Sequence, residues 1–177
     1  MLGLVEAYQR LGRRREAVAC LERLQELEPA DVVVKLSLAE LLLEADPPES
    51  STPRGGPPQP AGGDVLQRVV RLAEGIENET PVHAALLLYK ARALRGLGLL
   101  EAARKTLTGA LRRSKGRSEE LLQALRYERA LVYEGLGQRR RARSELEKLY
   151  AEAPDYEDVA ARLGIAGGGR RLPAAPR

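Results

Sequence analysis

The chain has no Phe and no Trp, and its six Tyr leave aromatic content at 3% of 177 residues. Strand-built cores draw on β-branched and aromatic side chains, so this shortage argues against a β-sandwich or barrel. There is one Cys, Cys20. It cannot form an internal disulfide, which removes the stapled, secreted class of small domains. An isolated thiol of this kind ordinarily packs as a small hydrophobe. The single His, His83, stands about sixty positions from Cys20, and one ligand of each type is no metal cluster. No run approaches the roughly 18 apolar residues that span a bilayer. Met1 to Arg15 lacks the basic-then-apolar order of a signal peptide. These absences together point to a cytoplasmic location, without a membrane span in this chain.

What is present is Leu and Ala. The sequence holds 31 Leu and 25 Ala, with 44% hydrophobic and 31% charged residues, a soluble and foldable balance. Leu, Ala, Arg and Glu are strong helix formers, so the expected fold class is all-α. The formal charge is +4, and 24 of the 29 basic residues are Arg.

Two segments repeat. The first reads Tyr8, Gly12, Ala17, Leu21, Leu24, Pro29; the second reads Tyr133, Gly137, Ala142, Leu146, Leu149, Pro154. The spacings are identical. A third copy fits without gaps as Leu94, Gly98, Ala103, Leu107 and Ala110, with Lys115 in place of the proline. The frame predicts a helical hairpin. Apolar residues recur at helical spacing before each Gly, and each Gly sits where a left-handed residue ends a helix. The second helix then carries Ala17, Leu21 and Leu24 on one stripe. Small Ala17, Ala103 and Ala142 let the two helices approach, and Pro29 and Pro154 stop the second helix.

This pattern resembles the tetratricopeptide repeat, a helix-turn-helix unit of about 34 residues. The matching slots are the small residue of helix A (Val5, Ala39, Ala91, Ala130), the large one (Tyr8, Leu42, Leu94, Tyr133), the turn Gly, the Ala of helix B and the closing Pro. The family's early Trp is absent; its slots hold Met1, Lys35, Leu87 and Arg126. The resemblance implies a right-handed α-solenoid of about four hairpins over residues 1–165. The repeats fall at about 1–31, 32–83, 84–117 and 118–154.

The second repeat is interrupted. Residues 46–63 are rich in Pro, Gly and Ser without apolar periodicity, which reads as an inserted loop. From Gly12 to Gly98 is 86 residues, 18 more than two repeats of about 34. Helix B is expected to resume at Asp64 as its N-cap, and Pro81 to open the next helix A. Asp155 to Leu163 reads as a capping helix, and 166–177 as a disordered tail. Met1 falls at the fourth slot of the first helix A, so the sequence reads as a piece, or a mis-assigned start, of something longer.

No chemistry stands out. A phosphate-binding Gly-rich loop, a Gly-x-Ser-x-Gly elbow and a His-Glu-x-x-His motif are all missing. The paired acids Glu119-Glu120, and Asp155 with Glu157 and Asp158, read as exposed helix starts, where acids favour the dipole. No catalytic residue, metal site or cofactor is assigned. Arg139, Arg140 and Arg141, with Arg13 to Arg15 in the equivalent turn, form a possible anionic-ligand surface. The ordinary reading is a solvated turn whose charges are answered by Glu16, Glu145 and Glu147.

The resemblance places partner binding on the concave face, lined by helix A of each unit. The corresponding positions are Leu36, Glu40 and Leu43, then Leu88, Arg92 and Arg95, then Tyr127, Leu131 and Glu134, with Leu2, Glu6 and Gln9 in the first unit. The paired Asn with Lys or Arg of carboxylate-clamping repeats is lacking, since Asn78 is the only Asn and lies outside helix A. The expected role is a non-catalytic protein-interaction scaffold or adaptor holding a peptide or helix. The alternatives are a nucleic-acid-associated or regulatory module using the Arg-rich turns, or a structural segment of a larger helical assembly, or an array that self-associates.

Overall fold

A computed structural model describes residues 2–45 and 60–165. Nine helices and no strand are found among the described residues. They run α1 (Leu2–Arg10), α2 (Arg14–Leu27), α3 (Val32–Ala45), α4 (Pro60–Leu72), α5 (Pro81–Gly96), α6 (Leu100–Leu111), α7 (Glu119–Gly135), α8 (Arg139–Glu152) and α9 (Val159–Arg162). Each pair from α1/α2 to α7/α8 packs as a hairpin, and successive hairpins stack through α2 on α3, α3 and α4 on α5, and α6 on α7. The result is an all-α helical-repeat solenoid.

The turn glycines behave as the repeat frame requires. Gly12, Gly98 and Gly137 have φ of 69°, 75° and 72°, a conformation that a Cβ disfavours. In each turn the residue after the Gly donates its N–H back to the large residue of the preceding helix. The bonds run from Arg13 to Tyr8 O (2.9 Å), Leu99 to Leu94 O (2.8 Å) and Gln138 to Tyr133 O (2.8 Å). This is the helix-ending bond that satisfies an orphan carbonyl. It aims α2, α6 and α8 back along the preceding helix.

Packing follows the stripes. Ala17, Ala103 and Ala142 are buried, and so are Leu21, Leu24, Leu107, Ala110, Leu146 and Leu149 below them. α3 and α5 are apolar on most sides because helices cover them on most sides. α3 buries Val34, Leu38, Ala39, Leu41, Leu42 and Leu43; α5 buries Leu86, Leu87, Leu88, Ala91, Ala93 and Leu94, among others. At Gly135 a Cβ would stand 3.1 Å from Leu100 Cδ1, so α6 reaches α7 where α7 has no side chain. Thr80 caps α5 by accepting from the His83 N–H, with Pro81 in the first turn.

Two boundaries differ from the sequence reading. α4 begins at Pro60, not at Asp64. Asp64 is one turn inside the helix and caps nothing there. Pro lacks only an N–H that a first turn leaves unpaired anyway, so the helix starts within the Pro/Gly-rich stretch. The terminal helix is also shorter, Val159–Arg162, after turns over 154–158. Its Val159, with Leu163 just after it, still covers Leu146 and Leu149. The rest of the expected insertion, 46–59, and the expected tail, 166–177, lie outside the described residues.

Asn78 joins three elements. Its side-chain amide donates to Gly109 O (3.0 Å) and Ala110 O (2.8 Å) in the last turn of α6, where Gly109 O also accepts from the Arg112 N–H. Its Oδ1 accepts from Arg117 (2.5 Å) in the α6–α7 connection. Replacing Asn78 with Ala strips partners from half-buried groups, a loss of about 1–3 kcal/mol. Thermal unfolding followed by circular dichroism is expected to show a lower midpoint for Asn78→Ala. An unchanged midpoint would remove Asn78 from this role.

Candidate functional site

Because α3 packs on α5 and α5 on α7, these three A helices form a continuous wall. Against it lies a cavity of about 540 Å³. α3 contributes Glu40, Leu43 and Glu44; α5 contributes Tyr89, Arg92 and Arg95. Tyr127, Glu128 and Leu131 come from α7, and Tyr156, Glu157, Asp158 and Arg162 close the far end.

Three tyrosines give this wall its surface. Tyr89 donates to Glu40 Oε1 (3.0 Å) and lies under the Arg92 guanidinium, 5.4 Å from the ring centre. Tyr127 donates to Asp158 Oδ1 (2.5 Å) and meets Tyr156 edge-on, with centroids 5.6 Å apart. Edge contacts and guanidinium stacking suit the ring quadrupole. Arg162 ties the end together through Asp158 (2.8 Å) and Glu134 (2.5 Å).

In the middle, Glu128 is buried at 2% exposure. Arg95 holds it at 2.5 Å, and Arg92 stands 3.6 Å away. A buried carboxylate needs such partners. Burial, the Glu40 charge and the hydrogen bond to Glu40 push the Tyr89 hydroxyl up to about 12. Burial and the Asp158 hydrogen bond push Tyr127 up to about 12 as well. Burial also raises Asp158, but the hydrogen bonds from Arg162 and Tyr127 outweigh it and hold the carboxyl below its usual range.

The sequence-derived positions divide here. Glu40, Leu43, Arg92, Arg95, Tyr127 and Leu131 come together in one concavity. Leu88 does not. It is 5% exposed and packs in a core cluster with Leu125, so its side chain is absent from the groove surface. Leu36 is half-buried and packs against the first core cluster. Glu134 lies one turn beyond Leu131, bound to Arg162 and lining a separate concavity with Arg139 and Arg143. Glu6 is exposed on α1, away from this cavity.

The repeat slots alone missed Glu44, Tyr89, Glu128, Tyr156, Glu157, Asp158 and Arg162. Tyr89 and Glu44 carried a signal, since each is spaced to share a helical face with Arg92 or with Glu40. The residues after Pro154 carried none, because no repeat slot covers them.

Arg139, Arg140 and Arg141 are exposed and form the first turn of α8, with Gln138 as N-cap, rather than the turn before it. Arg141 bonds Gln138 and lies over Tyr133. The acids expected to answer these charges are engaged elsewhere, Glu145 with Arg129 and Glu147 with Arg143. Glu16 does pair with Arg13 (2.8 Å). His83 bonds Thr80 as part of a helix cap, and Cys20 is half-buried against the first core cluster. Among the described residues no three His, Cys, Asp or Glu are placed to hold a metal ion. No described helix is long and apolar enough to cross a membrane.

The raised tyrosines give a pH signature. Both neutral hydroxyls are favoured by folding, so their contribution is intact below about pH 10, the unfolded value. It is lost as pH rises toward about 12. Absorbance titration is expected to show Tyr89 and Tyr127 still protonated above pH 10, the ordinary value of a phenol. Tyr89→Phe is expected to remove one late step. A titration complete near pH 10, with no late step lost in Tyr89→Phe, would contradict the hydrogen bonds described.

Tetratricopeptide-repeat family models match residues 1–31, 64–118 and 123–156. No curated protein matches the chain in sequence. A crystal structure of MamA is similar at TM-score 0.63 and 16% identity, covering 91% of this chain and 81% of that one. A thermophilic TPR protein in Thermus thermophilus, TTC0263, is similar at TM-score 0.66 and 20% identity, covering 91% and 76%. These likenesses concern the fold. With the repeat models spread along the chain and the hairpins stacked as described, the chain belongs to the tetratricopeptide-repeat family.

Proposed function

We propose that this chain is a non-catalytic scaffold that holds a segment of a partner protein in the groove along α3, α5 and α7. Tetratricopeptide-repeat proteins generally mediate protein–protein interaction. The observation that carries the reading is the wall itself. It combines the half-exposed rings of Tyr89, Tyr127 and Tyr156 with Leu131 and fixed charged groups. Rigid amphipathic rings beside satisfied polar groups suit peptide recognition, because little side-chain freedom remains to be lost on binding. A cytoplasmic setting is part of the same proposal and fits the single half-buried thiol of Cys20.

A second reading rests on exposed Arg139 and Arg140, which carry no ion pair among the described residues. They would favour an anionic partner such as nucleic acid. Base stacking is poorly served there, since Tyr133 beside them is already covered by Arg141. The groove reading is therefore preferred.

Peptides selected from a random twelve-residue display library on the full chain test it. Leu131→Asn is expected to weaken the selected peptides about tenfold, with an unchanged circular dichroism spectrum. Selected peptides that bind the variant as tightly as the parent would remove the groove from the function.

A further inference from the structure

The charges along the groove are ordered, and they identify the chemistry of its occupant. At one end stand Glu40 and Glu44 of α3. At the other stand Glu157 and Asp158, with Arg162 already engaged by Asp158 and Glu134. The centre holds Glu128 between Arg95 and Arg92. The lining carries five acids against three arginines, in a chain whose formal charge is +4. The groove thus opposes the sign of the whole molecule, with its negative charge at the two ends.

Two of these acids are unspent. Glu44 and Glu157 are exposed and carry no ion pair among the described residues, whereas Glu128 and Asp158 are paired and Glu40 accepts the Tyr89 hydroxyl. Glu157 has a further peculiarity. Its φ is 44°, the only positive value at a non-glycine among the described residues. An L side chain is strained there and Gly would not be.

We infer that the groove takes an extended segment of a partner protein bearing two cationic side chains, one reaching Glu44 and the other Glu157. Its backbone or a polar side chain then faces Arg92. The inference rests on the groove reading above and adds the partner's charge to it. Arg92 is 34% exposed and stacked on Tyr89, so it presents fixed donors between the acidic ends. The faces of Tyr127 and Tyr156 offer apolar contact to Lys or Arg stems on the way to Glu157. Helix-to-helix steps are about 8–10 Å, so two such steps from α3 to α7 make about 16–20 Å. An extended chain covers that distance in about five to six residues.

Three fluorescein-labelled peptides of equal length test this. Each carries the same leucines and either Lys, Ser or Glu at two positions six residues apart, and each is titrated against the full chain by anisotropy. The Lys peptide is expected to bind about tenfold more tightly than the Ser peptide, and the Glu peptide to bind most weakly. The double variant Glu44→Gln with Glu157→Gln changes only exposed carboxylates. It is expected to remove the Lys preference while leaving the Ser peptide unaffected. Equal binding of Lys and Ser peptides, or a Lys preference that survives the double variant, would overturn the inference. The chain's own Arg170, Arg171 and Arg177 are a competing occupant. If their replacement by Ser in the full chain tightens the Lys peptide tenfold or more, the tail fills the groove and the partner assignment falls. If no designed peptide binds while the display library still yields Leu131-dependent binders, the charge inference fails and the groove reading stands. If neither binds, both fail.

Discussion

The contact between a small residue of one helix and the face of its predecessor holds this molecule together. Ala17, Ala103 and Ala142 are buried where the second helix of a hairpin leaves its turn. A larger side chain there would hold the helices apart and open the leucine layer beneath, since cores tolerate little change in volume. The left-handed glycine just before each alanine sets the direction from which that approach is made. The rest of the stack then follows, because a hairpin closed this way leaves one apolar face that only another hairpin can cover.

That arrangement also explains why so few aromatics suffice. Leu and Ala alternate as large and small across the interfaces. No bulky ring is needed to fill the three core clusters, whose buried members are Leu, Val and Ala. Three of the six tyrosines are thereby free for the surface of the wall. There Tyr89, Tyr127 and Tyr156 put apolar area beside hydroxyls or charges that already have partners. Fixed rings and paired charges make a rigid surface, and a rigid surface is what a solenoid offers a partner.

Much of the fold was legible. The spacing of Tyr8, Gly12, Ala17, Leu21 and Leu24, and its recurrence from Tyr133, carries the turn, the close approach and the buried stripe. Each is a local backbone or packing requirement. The second hairpin was harder to read because its turn glycine is replaced by a long Pro/Gly-rich stretch. A rule based on capping residues favoured Asp64, yet α4 opens at Pro60. Loss of an already unpaired N–H made proline the more suitable first residue. The final helix came out shorter than its apolar pattern suggested, since turns occupy 154–158 before Val159.

The site divides the two levels of information most clearly. Leu88 and Tyr127 occupy one slot of the repeat, so their sequence positions predict one role. Leu88 is covered by the following hairpin and joins the core with Leu125. Tyr127 is followed by the 154–158 turns and α9, leaving its ring half-exposed against Tyr156. Glu128 and Tyr89 likewise share a slot, yet one is a buried carboxylate between two arginines and the other a groove-facing phenol. By itself the sequence determined most of the helices and the turns between them, because those depend on neighbours a few positions away. Only the tertiary structure decided which wall residues face solvent and which charges are already paired, because that depends on what the next hairpin covers.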